Sequence, residues 1–252
     1  MPASIITVFN QSGGVGKTTV SQNVGYHLAQ LKTKVLVVDI DPQSSLTAFM
    51  GLEPMDLGKT VYNAVVHKEE PAIKHDIYGV DLLPANINLS RAEMELAGVI
   101  MRDLRLKQVL DKVRNNYDVI LIDCPPSLGI LSIMSLVAAT HVIVPIQTEF
   151  KALKGTEMLL NTIMEVINAA NPDLKIAGII PTMYDNRLSQ AGKSLEAIQQ
   201  LAQLAKILPI IPRATDFANA SQDRLPLAVY NSKHPAVKVL HDIAQILKGN
   251  VL

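Results

Sequence analysis

The chain of 252 residues has one cysteine, Cys124. A single thiol cannot close an intramolecular disulfide, and it cannot build a cysteine-rich zinc or iron–sulfur site within one chain. Its expected place is the core, where free cysteine behaves as a small apolar residue. The six histidines are scattered without the spacing of a metal–histidine site. Neither sign of charge is in excess, since 23 basic side chains are matched by 23 acidic ones. No global field therefore draws the protein to nucleic acid or anionic lipid, and such binding needs a local patch or a groove between two copies. Flexible linkers, repeats and low-complexity tracts are missing as well. The amino terminus, MPASIITVFN, has no basic segment of the secretory kind and reads as a first strand, so the cytoplasm is the expected compartment.

What is present is largely apolar: 48% of residues are hydrophobic and 18% charged, enough to bury a sizeable core. Between Asp123 and Glu149 there is no Asp, Glu, Lys or Arg, a stretch long enough to span a bilayer. Pro125, Pro126 and Pro145, with the change from helix-like GILSIMSLVAA to strand-like HVIVPIQ, indicate instead a buried helix and then a central parallel strand. The strand candidates are SIITVF, KVLVVDI, VDLLP, DVILID, HVIVPIQ, KIAGIIP and AKILPII. Helical patterns fall between them at 17–31, 101–115, 129–139, 151–170 and 188–205. This alternation predicts an α/β fold with a mostly parallel, doubly wound sheet flanked by helices, in one domain over residues 1–252. The loops after the strands then gather on one edge as the ligand crevice.

The loop after SIITVF reads NQSGGVGKTT and nearly fits the phosphate-binding rule G-x-x-x-x-G-K-[ST], with Gln11 in place of the first glycine. Gly13, Gly14 and Gly16 allow backbone N–H groups to turn inward toward phosphate. Lys17 is expected to reach the β- and γ-phosphates and Thr18 to hold Mg²⁺, ahead of a helix whose positive end faces the anion. Gln11, Ser12, Val15 and Thr19 complete the loop. Asp123 ends an apolar strand, as does an acid that serves Mg²⁺ in P-loop enzymes. Asp39 and Asp41 stand two residues apart in VVDIDPQ, a spacing that points both to one side of a strand. Asp39 is then expected to support the metal shell and Asp41 to position or activate the attacking water. A glycine turn, a helix cap and an Asp-Pro turn are the plainer readings of these three loops.

Taken together, GGVGKTT, VLVVDIDPQ, DVILIDCPPSLG, VIVPIQTEFKALKG and the IPR of IIPRATDF resemble the deviant Walker A ATPases of the ParA/MinD type, over essentially the whole chain. The resemblance implies a P-loop NTPase fold, ATP and Mg²⁺, a homodimer that sandwiches nucleotide, slow partner-stimulated hydrolysis, and cargo positioned on the nucleoid or membrane. It places Gly13 to Thr19 on the phosphates, Asp41 in hydrolysis, Asp123 at the metal and Pro212 with Arg213 beside adenine. Met183, in PTMYDNR, is assigned to the nucleotide with them. The pattern departs at Ser12, where the family usually carries a lysine that reaches the partner's phosphates. A serine hydroxyl supplies no full positive charge to a transferring phosphoryl group. Lys151, at a position that is commonly aromatic or uncharged in the family, is the candidate replacement, and Lys154 the weaker one. Loss of the lysine resembles the McdA subgroup, which spaces carboxysomes; plasmid or chromosome segregation is the competing cargo.

Nucleoid-bound members of that family bind DNA non-specifically through basic residues near the last helices. Phosphate neutralisation makes such binding sensitive to salt. The candidates here are Arg187, Lys193, Lys206, Arg224, Lys233, Lys238 and Lys248, and no aromatic platform accompanies them for base stacking. The tail VKVLHDIAQILKGNVL has helical apolar spacing and modest basicity, which fits core packing better than stable membrane insertion. The expectation is a nucleoid-associated cytoplasmic ATPase triggered by an unidentified cargo adaptor. Two other classes compete: a nucleotide-binding interaction protein without turnover, suggested by Ser12, and a metal-cluster carrier, opposed by the lone Cys124.

Overall fold

The β-branched runs form strands because both of their faces are covered. Ile5, Phe9, Leu36, Val38, Ile120 and Ile122 enter one apolar cluster, while Ile6, Val8, Val35, Val37, Val119 and Leu121 enter a second. Successive side chains of a strand alternate in direction, so these two clusters lie on opposite faces of one sheet. The structure is a computed structural model describing residues 2–251 and, for residues 150–154 and 157, the backbone only.

The strands are β1 (Ser4–Val8), β2 (Val35–Asp39), β3 (Lys74–Ile77), β4 (Val80–Leu83), β5 (Val119–Asp123), β6 (His141–Gln147) and β7 (Lys175–Thr182). They lie in the order β3-β4-β2-β5-β1-β6-β7, and all pairs are parallel except β3 with β4. The helices are α1 (Lys17–Gln30), α2 (Ser45–Phe49), α3 (Val61–His67), α4 (Ala92–Glu95), α5 (Arg105–Asp111), α6 (Ile130–Ala138), α7 (Phe150–Ala169), α8 (Ser189–Gln200), α9 (Asp216–Gln222), α10 (Leu227–Tyr230) and α11 (Pro235–Val251). The first cluster takes in α3, α5, α6 and α7, and the second takes in α1 and α11. The expected α/β, mostly parallel sheet flanked by helices is therefore the observed architecture.

The charge-free stretch resolves into α6 and β6. Among the described residues no helix is long and apolar enough to cross a membrane. Pro145 is tolerated in a central strand because β1 has run out of pairing beside it: the β1–β6 register ends at Val8 with Ile143. The Pro145 carbonyl is then free for the loop that follows β1, and accepts a hydrogen bond from Asn10 Nδ2 at 2.7 Å.

Two expectations need correction, and one strand lies outside them. AKILPII is not a strand; Ile207 and Pro212 make only isolated bridges, to Ile179 and Tyr184. Pro209 and Pro212 have no N–H to extend the pairing. The helix expected over 101–115 is shorter, with 3-10 turns at Arg102–Leu104 and Arg114–Asn116 around α5. β3 was not foreseen, because KHDI is an exposed antiparallel edge held by the turn at Tyr78 and Gly79, with φ of 54° and 82°.

Candidate nucleotide site

β1 lies between β5 and β6 and its loop opens on the carboxyl edge of the sheet, where the chain switches sides. Asn10 pins the loop at both ends: its Nδ2 holds Pro145, and its Oδ1 accepts the Ser12 N–H at 2.9 Å. Gly14 and Gly16 have φ of +75° and +91°. A side chain there costs about 1–2 kcal/mol, so these two positions require glycine. From Gly13 to Thr19 no backbone N–H has an acceptor among the described residues. A row of unpaired donors at a helix start is an anion cradle. Lys17 is 6% exposed and donates from Nζ to the Ser12 carbonyl at 2.8 Å. Burial lowers its pKa, against the opposing pull of Asp123, Cys124 and Asp41. An anion placed in the cradle supplies the counter-charge that this ammonium lacks.

Asp123 is fully buried at the end of β5. Its two oxygens accept from Thr18 Oγ1 and Ser21 Oγ, both at 2.8 Å. It stands in register with Asp39 across β2 and β5. Burial first, and then the charge of Asp39, push the Asp123 carboxyl up to about 7. Because Thr18 gives its proton to Asp123, its oxygen lone pairs remain for a cation in the cavity that Thr18 lines. A hard oxygen donor backed by a buried carboxylate pair fits Mg²⁺.

Asp39 itself is placed differently from the expectation. β2 ends at Asp39. The chain then turns, so that the Asp41 N–H donates to Asp39 Oδ1 at 3.1 Å. The other Asp39 oxygen accepts from Thr47 N at 2.8 Å and Thr47 Oγ1 at 2.7 Å. Burial raises its carboxyl to about 6 despite those bonds. Asp39 thus anchors α2 and, like Asp123, does not itself line the cavity. Asp41 does line it, is 8% exposed, and has its pKa raised chiefly by burial.

The cavity of about 330 Å³ is bounded by Gly13, Lys17, Thr18, Asp41, Ser45 and Pro126. A second, of about 280 Å³, shares Gly16, Thr19 and Met183 with it and is walled by Ile211, Pro212, Arg213 and Phe217. A polar cradle leading into a mostly apolar slot suits a phosphorylated base. Met183, at φ 55°, is fixed by the Tyr184 N–H on the Ile211 carbonyl (3.1 Å) and the Arg213 N–H on the Tyr184 carbonyl (2.8 Å). Thr182 Oγ1 on the Val15 carbonyl, 2.9 Å, ties this wall to the glycine loop. Phe217, Ser21 and Ser45 escaped the sequence reading. Ser21 lies one helical turn beyond Thr18, a spacing that places both hydroxyls on Asp123.

Other expected residues lie elsewhere. Gln11 donates to the Gly155 carbonyl at 3.4 Å, and Val15 is buried; with Ser12, they do not line the cavity. The side chains of Lys151 and Lys154 fall outside the described residues. Arg187 is held by both oxygens of Asp185, at 2.8 and 2.7 Å, and Arg224 meets Glu53 at 3.3 Å. Lys248 donates to the Leu31 carbonyl at 2.6 Å, whereas Lys193, Lys206, Lys233 and Lys238 are exposed. Burial pushes the Cys124 thiol up to about 12, as befits an inert core residue.

A glycine loop between strand and helix, a buried lysine and a threonine paired to a strand-end aspartate together define a P-loop nucleotide-binding protein. A family model described as an AAA domain matches residues 3–176. The sporulation initiation inhibitor protein Soj of Bacillus subtilis is 39% identical over 249 residues, 98% of each chain. The chromosome partitioning protein ParA of Caulobacter vibrioides is 35% identical over 237 residues, 92% of this chain and 89% of its own. Among solved structures, cobyrinic acid a,c-diamide synthase of Mycobacterium smegmatis with bound ATP analogue and magnesium superposes with TM-score 0.84 at 36% identity, covering 96% of this chain and 93% of that one. Apo McdA of Cyanothece gives 0.87 at 25% identity, covering 97% and 99%. The chain belongs to the ParA/MinD-type ATPases, the family of chromosome and plasmid partitioning proteins.

Proposed function

We propose that this chain is an ATP-driven partitioning switch. ATP lies with its triphosphate along Gly13 to Thr19 and its adenine in the slot of Met183, Pro212 and Phe217. The run of acceptor-free N–H groups opening on a cavity edged by Lys17, Thr18 and Asp41 carries this reading. Lys17 leaves the Ser12 carbonyl and turns to the β- and γ-phosphates. Thr18, backed by Asp123, holds Mg²⁺, which supplies neutralisation of the phosphate oxygens. Asp41 accepts a hydrogen bond from the attacking water and orients it. The water oxygen bonds to the γ-phosphorus as the bond to the bridging oxygen breaks, giving ADP and inorganic phosphate.

ATP closes two copies into a homodimer, and Lys151 supplies the cation that Ser12 does not. The exposed lysines Lys193, Lys206, Lys233 and Lys238, pooled from two copies, hold nucleoid DNA non-specifically. A cargo adaptor stimulates slow hydrolysis and release. Identities of 39% and 35% to Soj and ParA, against 25% to McdA, favour a chromosome or plasmid cargo over a carboxysome. The test is phosphate release with and without duplex DNA, using Asp41→Ala as control and Lys151→Ala as a second variant. Turnover that Asp41→Ala abolishes supports the switch. Absence of turnover in the wild type supports a nucleotide-binding interaction protein instead.

A further inference from the structure

Away from the nucleotide, α3 and α5 enclose a cavity of about 200 Å³. Lys68, Arg105 and Lys112 surround it with Gln108, over a floor of buried Ala64 and Val109. Such a concentration of cations stands out in a chain whose net charge is zero. Lys112 meets Glu70 at 2.6 Å, but the Glu70 side chain is 82% exposed and free to exchange. Lys68 and Arg105 have no ion-pair partner among the described residues. Arg105 Nη1 is moreover buried without an acceptor. A guanidinium N–H taken from water and left unpaired carries an uncompensated desolvation cost.

The chain just before α5 carries exposed apolar residues. One 3-10 turn, Arg102–Leu104, separates Arg105 from Met101 and Ile100. These two side chains are 62% and 88% exposed. Exposed apolar groups within a few residues of a half-buried arginine are features found at protein-binding spots.

We propose that this cavity receives an acidic side chain of a partner polypeptide, while an adjoining apolar side chain of the same segment rests on Ile100 and Met101. A carboxylate accepts two parallel bonds from a guanidinium. The cavity is smaller than those that enclose whole ligands and takes one side chain. Three basic residues bordering one small cavity suit a single carboxylate better than duplex DNA, whose phosphates run along an open strip. The site is independent of ATP and of the proposed switch.

The test uses the full chain without nucleotide and follows the fluorescence anisotropy of a short labelled peptide alternating glutamate and leucine. The same peptide with glutamine for glutamate is the control, and short duplex DNA is the competitor. The acidic peptide is expected to bind about tenfold or more tightly than the glutamine peptide. Arg105→Gln and Lys68→Gln are each expected to remove about that factor, and Ile100→Ser part of it, with basal ATP hydrolysis unchanged. Lys68 is exposed, so its variant decides the matter if Arg105→Gln melts early. Equal binding of the two peptides, wild-type affinity in Lys68→Gln, or DNA that displaces the peptide from this cavity overturns the proposal.

Discussion

Replacing Asp123 by asparagine should stabilise the nucleotide-free protein while destroying its response to MgATP. In the fold Asp123 is held up to about 7, from an ordinary 3.8, first by burial and then by Asp39. A carboxyl raised in this way weighs nothing below pH 3.8, where it is protonated folded and unfolded alike. Its penalty grows as pH rises from there and is complete above about 7. Three pH units correspond to about 4 kcal/mol. Asparagine keeps the shape but offers one acceptor oxygen, so either Thr18 or Ser21 must turn its hydroxyl, at about 1 kcal/mol. Net stabilisation at pH 8 is then about 2–3 kcal/mol, or roughly 5–10 °C in Tm for a chain of this size. The assay is thermal melting in EDTA at pH 4 and pH 8, repeated at pH 8 with saturating MgATP. The variant should lead at pH 8, trail wild type by about 1 kcal/mol near pH 4, and gain far less from MgATP. A variant less stable than wild type at pH 8, or a gap of equal size at both pH values, refutes the reasoning.

Gly16→Ala places a side chain at φ +91°, with no steric clash since its Cβ lies 4.0 Å from Met183. Melting should show a loss of about 1–2 kcal/mol from the backbone alone, with weakened ATP binding by calorimetry. Phe217→Ala removes a wall of the base slot and should weaken ATP about tenfold while leaving inorganic pyrophosphate unaffected in competition assays. His27 is buried beside His241, and burial first, then His241, lowers its pKa from 6.5 to about 4. A base depressed in the fold contributes stability that is full above pH 6.5 and fades as pH falls toward 4. His27→Gln should therefore remove up to about 3 kcal/mol of acid sensitivity in urea denaturation between pH 7 and pH 4.

Legibility followed burial. β1, β2, β5, β6 and β7 are written in β-branched runs because both faces of the sheet are covered, and NQSGGVGKTT is plain because its turn, at φ +75° and +91°, is one that glycine adopts without the cost of a Cβ. β3 was invisible because an exposed edge needs no apolar code. AKILPII misled for the opposite reason: its apolar residues cover β7, where a Cβ on Gly178 would meet Leu208 at 2.7 Å, yet Pro209 within it and Pro212 just after it forbid a ladder. At the site, period-two alternation does not carry past the end of the strand; the turn sends Asp41 to the cavity and Asp39 to Thr47. Phe217 stayed hidden because the base slot is assembled from segments far apart in sequence, which only the fold brings to Gly16.

The direct measurement is calorimetric titration of the intact chain with a slowly hydrolysed ATP analogue and magnesium. If the N–H row from Gly13 to Thr19 and the Lys17 ammonium grip the triphosphate, one site per chain saturates and Lys17→Ala abolishes the heat. No heat from the wild type, or equal heat from Lys17→Ala, contradicts the assignment of this loop.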